Sequence, residues 1–595
     1  MDKEPWPNLV LMFFEQVERY GDRPFLWMKR GGAYAPLTWR DTAARVSALA
    51  RGLKTLGVAP GDRVVLVSEN RPLWLVADLA IMAVGAITVP AYVTNTPEDH
   101  LHILRDSGAK GAIVSTRRLA ETVLPAADQA DGMEFVAGLD PPEAAGDRRV
   151  RVLHLDDVLE EGRTGPENIV ELARRWKRGD TACIIYTSGT GGAPKGVMLH
   201  HGAILHNCAG AREAFAELGL DDEVFLSFLP LSHSYEHTAG QFFPMSVGAQ
   251  IYYAEGVETL ATNMREARPT IMTAVPRLYE TMHGRILRGV HKAGGVKEKL
   301  FGKALELGTR RYQRAGGLSP GQRLIDAALD KVVRDKVRAG FGGRLKALVS
   351  GGAPLNADIG LFFTALGLRI LQGYGQTEAA PVVTANRPDK VKIHTVGPPL
   401  PGVKVKIAAD GEILVRGELV MQGYWRNPEA TAEAIRDGWL HTGDVGVIDS
   451  DGYLTITDRK KDIIVCSGGD NVSPQRIEGM LTLEPEIAQA MVYGDRRAHL
   501  VGLLVPDTVW MQTWAKDHKK PAGLQALAGD KDFRRALDAA VKRVNARLSK
   551  LERVRRFAVA DGPFTIENAQ MTPTLKIRRH EITDVYGERL EALYG

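Results

Sequence analysis

A capped helix that stops at a glycine, turns at Pro-Gly and enters a short run of branched apolar residues is the pattern that most restricts how this chain folds. Thr38 and Asp41 have the spacing of a capping box, in which each side chain satisfies a backbone N–H of the other residue. Val46, Leu49, Ala50 and Leu53 then recur at helical spacing and share one face. Gly57 is placed to end the helix, Pro60-Gly61 turns the chain, and residues 63–67 follow as a strand. Residues 182–186, 223–228 and 346–349 read as further buried strands among helical patterns, and such alternation specifies an α/β fold. The most apolar stretch, residues 73–93, is interrupted by Asp78 and punctuated by Gly85 and Pro90. A membrane-spanning helix needs ~20 predominantly apolar residues, so this stretch reads as a buried helix leading into a core strand.

The 595 residues, 44% of them apolar, supply one large core and a smaller one. After about residue 380, short β-prone segments with frequent glycine predict a small β-rich subdomain over 380–458. A charged, hinge-like run, DRKKD at 458–462, follows. The expected organisation is a large N-terminal domain over 1–460 and a small α+β domain over 461–595. Within the latter, residues 531–557 predict a basic amphipathic helix with Phe533, Leu537, Val541, Val544, Leu548 and Leu551 as its apolar stripe. A packed helix with a solvated face accounts for this pattern; attraction to anionic lipid or to cofactor phosphates is the functional alternative.

Charged residues make up 25% of the chain and the net charge is +4, too mild for a nucleic-acid partner. Cys183, Cys208 and Cys466 are far apart and form no C-x-x-C, which argues against a disulfide framework or a zinc ribbon and for reduced thiols in a cytoplasmic protein. The opening MDKEPWPNLVLMFF carries early acids and a very short apolar run, unlike a signal peptide.

Four glycine-punctuated runs bear on chemistry. In TSGTGGAPKG, Thr187, Ser188 and Thr190 offer hydroxyls to a phosphate, Gly189, Gly191 and Gly192 let backbone N–H groups approach it, and Lys195 adds charge. Gly196 after Lys195 excludes a Walker A loop; alone, such a turn is as compatible with an ordinary loop. In ILQGYGQTE, Gln372, Gly373, Tyr374, Gly375 and Gln376 precede Thr377 and Glu378. Tyr374 is placed to stack on a base, Thr377 to bond a phosphate, and Glu378 to hold Mg²⁺ shared with phosphates; a strand and turn with a buried tyrosine is the plainer reading. In SGGAPL, Gly351, Gly352 and Ala353 admit a planar ring against the backbone. In WLHTGDVG, Asp444 sits in an expected tight turn, where a carboxylate accepts both hydroxyls of a ribose or serves the turn alone. A competing pattern is His233-Ser-Tyr-Glu236-His237, which matches H-x-x-E-H, a zinc-peptidase motif with two histidine ligands and a glutamate base.

In order along the chain, TSGTGGAPKG, GYGQTE, HTGD, ITDRKKDIIVCSGGDNVSP and MTPTLKIRR resemble the motif series of the adenylate-forming (ANL) superfamily. LPLSHSYEH, TAVPRLYE, GYWRNPEAT and the DRKKD hinge resemble its long-chain fatty-acid–CoA ligase branch. The resemblance runs from about residue 8 to the C-terminus. It implies ATP, Mg²⁺ and CoA as cofactor and co-substrates, and a mobile C-terminal domain. By the same resemblance, Thr187 to Lys195 form the phosphate loop with Thr187 near the metal. Gly351, Gly352, Ala353 and Tyr374 enclose adenine, and Thr377 meets the α-phosphate. Glu378 holds Mg²⁺, and Asp444 and Arg459 hold the ribose. Lys576 is the catalytic lysine, and His233 lines the channel near the substrate carboxylate. The hinge falls at Arg459, Lys460 and Lys461. Ser467, Gly468, Gly469, Asn471 and Ser473 meet the pantetheine of CoA, or of a carrier protein in an alternative acceptor reading. Long-chain acids partition into bilayers, so peripheral membrane contact is a further implied partner. Two positions depart from the family pattern: Gly191 stands where a second threonine is usual, and Val465 where related ligases often have lysine.

Overall fold

The computed structural model describes residues 6–141, 148–187, 194–313, 317–467, 470–572 and 576–595. The capped helix forms as its sequence dictates. It runs Trp39–Thr55, with Thr38 Oγ1 accepting from Asp41 N at 3.0 Å and Thr38 N donating to Asp41 Oδ2 at 3.2 Å. Val46, Leu49, Ala50 and Leu53 are fully buried, and Arg63–Val67 follows as a strand. The apolar stretch likewise becomes the helix Pro72–Ala83 and the strand Ile87–Ala91.

Two eight-stranded sheets build the large N-terminal part. In one, the parallel strands Ile370–Gly375, Ala347–Ser350, Ile271–Ala274, Val224–Ser227 and Gln250–Tyr253 lie side by side, flanked by Val382–Ala385 and by Pro24–Arg30 with Ala33–Thr38. In the other, Thr181–Thr187, Ile87–Ala91, Arg63–Val67, Gly111–Val114, Phe135–Gly138 and Arg151–His154 run parallel, and Lys195–His200 and Gly423–Tyr424 close one edge antiparallel. Apart from Arg63 at the start of its strand, the central strands Arg63–Val67, Gly111–Val114 and Ala347–Ser350 are buried, because helices cover both faces, and they are accordingly rich in Val, Ile and Leu. One apolar core joins residues of both sheets to the helices between them.

The β-rich segment starts later than its composition suggests. Val382–Ala385 pairs with Ile370–Gly375 and belongs to the large sheet; the separate five-stranded antiparallel sheet spans Lys404–Ile407 through Leu454–Arg459. Glycine frequency marks turns but does not say which sheet a strand joins. The C-terminal part packs Ile487–Tyr493, Leu500–Pro506 and Val554–Val559 into a three-stranded sheet with its own core.

The amphipathic helix in that part is shorter than expected. It runs Lys531–Asn545, and Phe557 lies in the strand Val554–Val559. The Asn545 amide exchanges two hydrogen bonds with the Val554 backbone (2.8 and 3.0 Å), which turns the chain back into the sheet. Phe533, Leu537, Val541, Val544 and Leu548 are buried, whereas Leu551 is 49% exposed. The two parts of the chain meet through polar contacts, Arg547 with Asp358 and Arg277 Nη1 to Ala488 O at 3.2 Å, and through Leu483 against the apolar cluster of Phe362 and Phe363.

Candidate active site

The cleft is built where strand ends of both large sheets face the small sheet and the C-terminal part. Thr187 ends its strand half-buried and lies opposite Lys195, the first residue of the next strand. Ser188, Gly189, Thr190, Gly191 and Gly192 lie outside the described residues, as do Gly468 and Gly469. The ends of the glycine-rich run are thus pinned side by side. Lys195 Nζ stands 5.0 Å from the centroid of the Tyr424 ring, and Tyr424 donates its hydroxyl to Glu378 Oε1 at 2.8 Å. Burial, then the Glu378 carboxylate, pushes the Tyr424 phenol up, so it stays protonated as a donor. Tyr424 belongs to the quoted run GYWRNPEAT, but nothing local marks it as a partner of Glu378. The pairing of Gly423–Tyr424 with Lys195–His200 brings it there.

Thr377 is 8% exposed and its hydroxyl lies 3.0 Å from that of Ser234. Tyr374 donates to Asp444 Oδ2 at 2.7 Å, and Arg459 Nε donates to Asp444 Oδ1 at 3.0 Å. Asp444 is not in a tight turn. It lies in the strand Trp439–Ile448, opposite Arg459 in the neighbouring strand, because the glycine before it absorbs the local bend at φ +71°. Burial and the Asp444 charge raise the Tyr374 phenol well above its usual value. The Gln372 side chain is buried and bonded to Ile393 O, and its backbone carbonyl accepts from Asn386 N at 2.8 Å. Gly373, Gly375 and Gln376 are half-buried beside Tyr374. A Cβ on Gly375 would overlap Pro381 O, which is why this strand end needs glycine. Gly352 and Ala353 are exposed, and Gly351 is buried with the Tyr235 ring 2.9 Å from where its Cβ would be.

Lys576, from the far end of the chain, reaches this same cleft. The residue keeps solvent exposure, while its charged end is surrounded by protein. Burial of the group and then Arg459 push its pKa from 10.5 down to about 8, while Asp444, Asp462 and Glu378 act in the opposite sense. His233 is close enough to feel Lys576; burial first, and then this cation, lower its pKa to about 3, so its imidazole is neutral. Its Nδ1 accepts from Tyr235 N at 3.1 Å. Lys460 is tied to Asp410 and Glu412 at 2.6 and 3.0 Å, and Lys461 is exposed beside it. Of the expected pantetheine contacts, Ser467 N donates to Arg497 O at 3.0 Å, Asn471 pairs with Val465, which is 43% exposed, and the Ser473 side chain hydrogen-bonds Asp458, the neighbour of Arg459.

The zinc-peptidase pattern fails on geometry. His237 Nε2 bonds Asp78 Oδ2 at 2.9 Å with both side chains fully buried, and Glu236 accepts from Thr273 Oγ1 at 2.6 Å. His233 belongs instead to the cleft. Among the described residues no three His, Cys, Asp or Glu side chains are grouped to hold a metal. Asp78, which broke the apolar stretch in the sequence, is thus the buried partner of His237. For Mg²⁺ the donor chemistry does fit: Glu378 and Thr187 offer hard oxygens, and Mg²⁺ is typically held by one or two carboxylates together with substrate phosphates.

Fold and cleft together define an adenylate-handling α/β enzyme. The chain belongs to the AMP-binding enzyme family: residues 13–425 match that family and residues 461–595 its C-terminal domain. Among curated proteins it is 36% identical over 599 residues to the long-chain-fatty-acid–CoA ligase FadD15 of Mycobacterium tuberculosis, covering 99% of this chain and 97% of that one. It is 30% identical over 590 residues to the peroxisomal long chain acyl-CoA synthetase 6 of Arabidopsis thaliana, covering 95% and 82%. In fold it is similar to the adenylation domain of a carboxylate reductase from Mycobacterium chelonae, with TM-score 0.76, 23% identity and coverage of 100% and 92%. It is likewise similar to the anthranilate CoA ligase AuaEII in complex with anthranoyl-AMP, with TM-score 0.72, 20% identity and coverage of 98% and 98%.

Proposed function

We propose that this chain activates a long-chain fatty acid with ATP as its acyl adenylate, releasing pyrophosphate, and then passes the acyl group to CoA, releasing AMP. Family membership and the names of its full-length relatives support the reaction class. The observation that carries the reading is the arrival of Lys576 in the cleft of Glu378, Asp444, Arg459 and His233.

A fatty-acid carboxylate is ionised near neutrality and needs no base. The obstacle is like-charge repulsion as it attacks the α-phosphate. The Lys576 ammonium offsets charge on the α-phosphate oxygens and the departing pyrophosphate. Thr377, positioned by Ser234, donates to the α-phosphate. Asp444 has lone pairs beyond those engaged by Tyr374 and Arg459, and these accept the ribose hydroxyls. Gly351, Gly352, Ala353 and Tyr374 flank the base, and Thr187 and Lys195, at the two ends of the glycine-rich run, serve the β- and γ-phosphates. His233, neutral, lines the approach of the substrate carboxylate without trapping it in an ion pair. Mg²⁺, held by Glu378 and Thr187 with the phosphates, supplies charge neutralisation when bound.

In the second half-reaction the thiol attacks the adenylate carbonyl and AMP leaves. Lys576 obstructs that approach. Residues 461–595 therefore rotate about Arg459–Lys461, breaking the polar contacts of Arg547 and Arg277, and the segment from Ser467 to Ser473 takes its place at the pantetheine arm. The test is incubation of the protein with ATP, Mg²⁺, CoA and fatty acids of graded length, with products identified by mass spectrometry. Acyl-CoA with a long-chain optimum is expected. Acyl adenylate without acyl-CoA overturns the acceptor, pointing to a carrier-protein pantetheine, and neither product overturns the reaction.

A further inference from the structure

The surface expected from sequence to be basic and amphipathic is the helix Lys531–Asn545 and the turn after it, and the folded chain neutralises much of it. Arg543 pairs with Glu484 and Glu486, Arg547 with Asp358, Arg535 with Asp532 and Lys542 with Asp538. The helix's apolar stripe is buried.

A different surface combines exposed apolar side chains with unpaired cations. The helices Pro276–Ala293 and Gly295–Gln313 are joined at Gly294 and Gly295, with φ of +55° and +56°, and pack against each other as a hairpin. At its tip Leu287 is 40%, Val296 72% and Leu300 36% exposed. Around them Arg285, Arg288, Lys292, Lys297 and Lys299 are all exposed, and no described carboxylate lies within 4.0 Å of any of these five cations. The tip's acid, Glu298, is engaged by His291 at 3.2 Å. Water hydrates the cations but leaves the apolar side chains among them without a partner. A nucleic acid would neutralise the cations but leave the leucines and valine in water. A free phosphate finds no pocket on a convex tip. An anionic bilayer surface meets both needs, taking short apolar side chains into the headgroup boundary while lipid phosphates face the cations.

We propose that the tip of this helical hairpin docks the protein on anionic membranes. The helix Pro276–Ala293 begins beside the cleft, with Val275 against Gly352, and its 18 residues span about 27 Å. A bilayer at the tip therefore stands roughly one helix length from the adenylation site. Among the described residues no helix is long and apolar enough to cross a membrane, so this contact is peripheral.

The proposal needs no assumption about the reaction and is tested without it. The full chain is co-sedimented, at physiological ionic strength, with vesicles of phosphatidylcholine alone and of phosphatidylcholine with about one-third phosphatidylglycerol. Binding to the anionic vesicles alone is expected. Each neutralised cation weakens partitioning about fivefold, so Arg285→Gln with Arg288→Gln and Lys292→Gln lowers it roughly a hundredfold. Leu287→Ser and Leu300→Ser also lower it, while Arg543→Gln leaves it unchanged. Equal sedimentation with both vesicles, or wild-type binding by the triple variant, overturns the proposal.

Discussion

If Lys576 serves adenylation as proposed, its charge state sets a pH limb on that half-reaction that is specific enough to refute. A lysine ordinarily titrates at 10.5, but in the cleft burial and Arg459 bring it to about 8. Lowering the pKa of a cation means that its charged form is disfavoured. The ammonium is therefore about 90% populated at pH ~7, half at ~8 and about 10% at ~9. If the ammonium neutralises the α-phosphate, kcat/KM for ATP in the adenylation half-reaction falls about tenfold per pH unit above ~8, because kcat/KM reports free-enzyme pKa values. Bound polyphosphate is anionic and raises the lysine pKa, so the limb in kcat lies at higher pH than that in kcat/KM. The assay is fatty-acid-dependent ATP–pyrophosphate exchange without CoA, which keeps thiol ionisation out of the profile. Lys576→Arg keeps its charge throughout, so its limb disappears. Lys576→Ala loses adenylation by about a thousandfold, on the scale of removing a charge-stabilising donor, yet still forms thioester from supplied acyl adenylate. A wild-type kcat/KM flat to pH ~10, or the same limb in Lys576→Arg, refutes the reasoning.

Glu236 makes a stability prediction with the opposite sign from a paired carboxylate. Burial raises its pKa from 4.5 to about 7, so the folded state binds the extra proton. Its contribution is fully present below pH 4.5 and is lost as pH rises through about 7, amounting to about 3 kcal/mol. Glu236→Gln removes this dependence and exceeds the wild type by about that much at pH ~8; denaturant midpoints with identical pH slopes in the two proteins count against it. At the hinge, the hydrogen bonds of the turn are donated by Lys460, Asp462 and Ile463, so Lys461→Pro removes none of them. It is expected to restrict rotation, lowering overall turnover about tenfold or more while sparing one half-reaction; unchanged turnover places the pivot elsewhere.

Much of this chain is legible locally. The Thr38 capping box, the stop at Gly57 and the fully buried strands follow from backbone hydrogen-bond needs and from side-chain periodicity, and neither requires knowledge of distant residues. The ordered glycine-rich runs are similarly local, because a strand ending in small residues leaves backbone N–H groups exposed wherever it sits in the fold. Tyr374, Thr377, Glu378 and Asp444 were therefore identifiable as a set. Their partners were not. Tyr424 reaches Glu378, and Ser234 reaches Thr377, through pairings 46 and 143 residues apart in the chain.

The sequence by itself determined the α/β alternation, the helix caps, the order of the glycine-rich runs and the buried helix and strand of residues 73–93, since each depends on neighbours within a few turns. Only the tertiary structure decided that His237 belongs to Asp78 and not to a metal, that Asn545 ends its helix against Val554, and that Arg543 is neutralised while Arg285, Arg288 and Lys292 are not. The reason is physical. Periodicity states which face of an element is apolar, but the partner that a charge or polar group meets depends on how elements distant in sequence are packed together, and no local pattern encodes that.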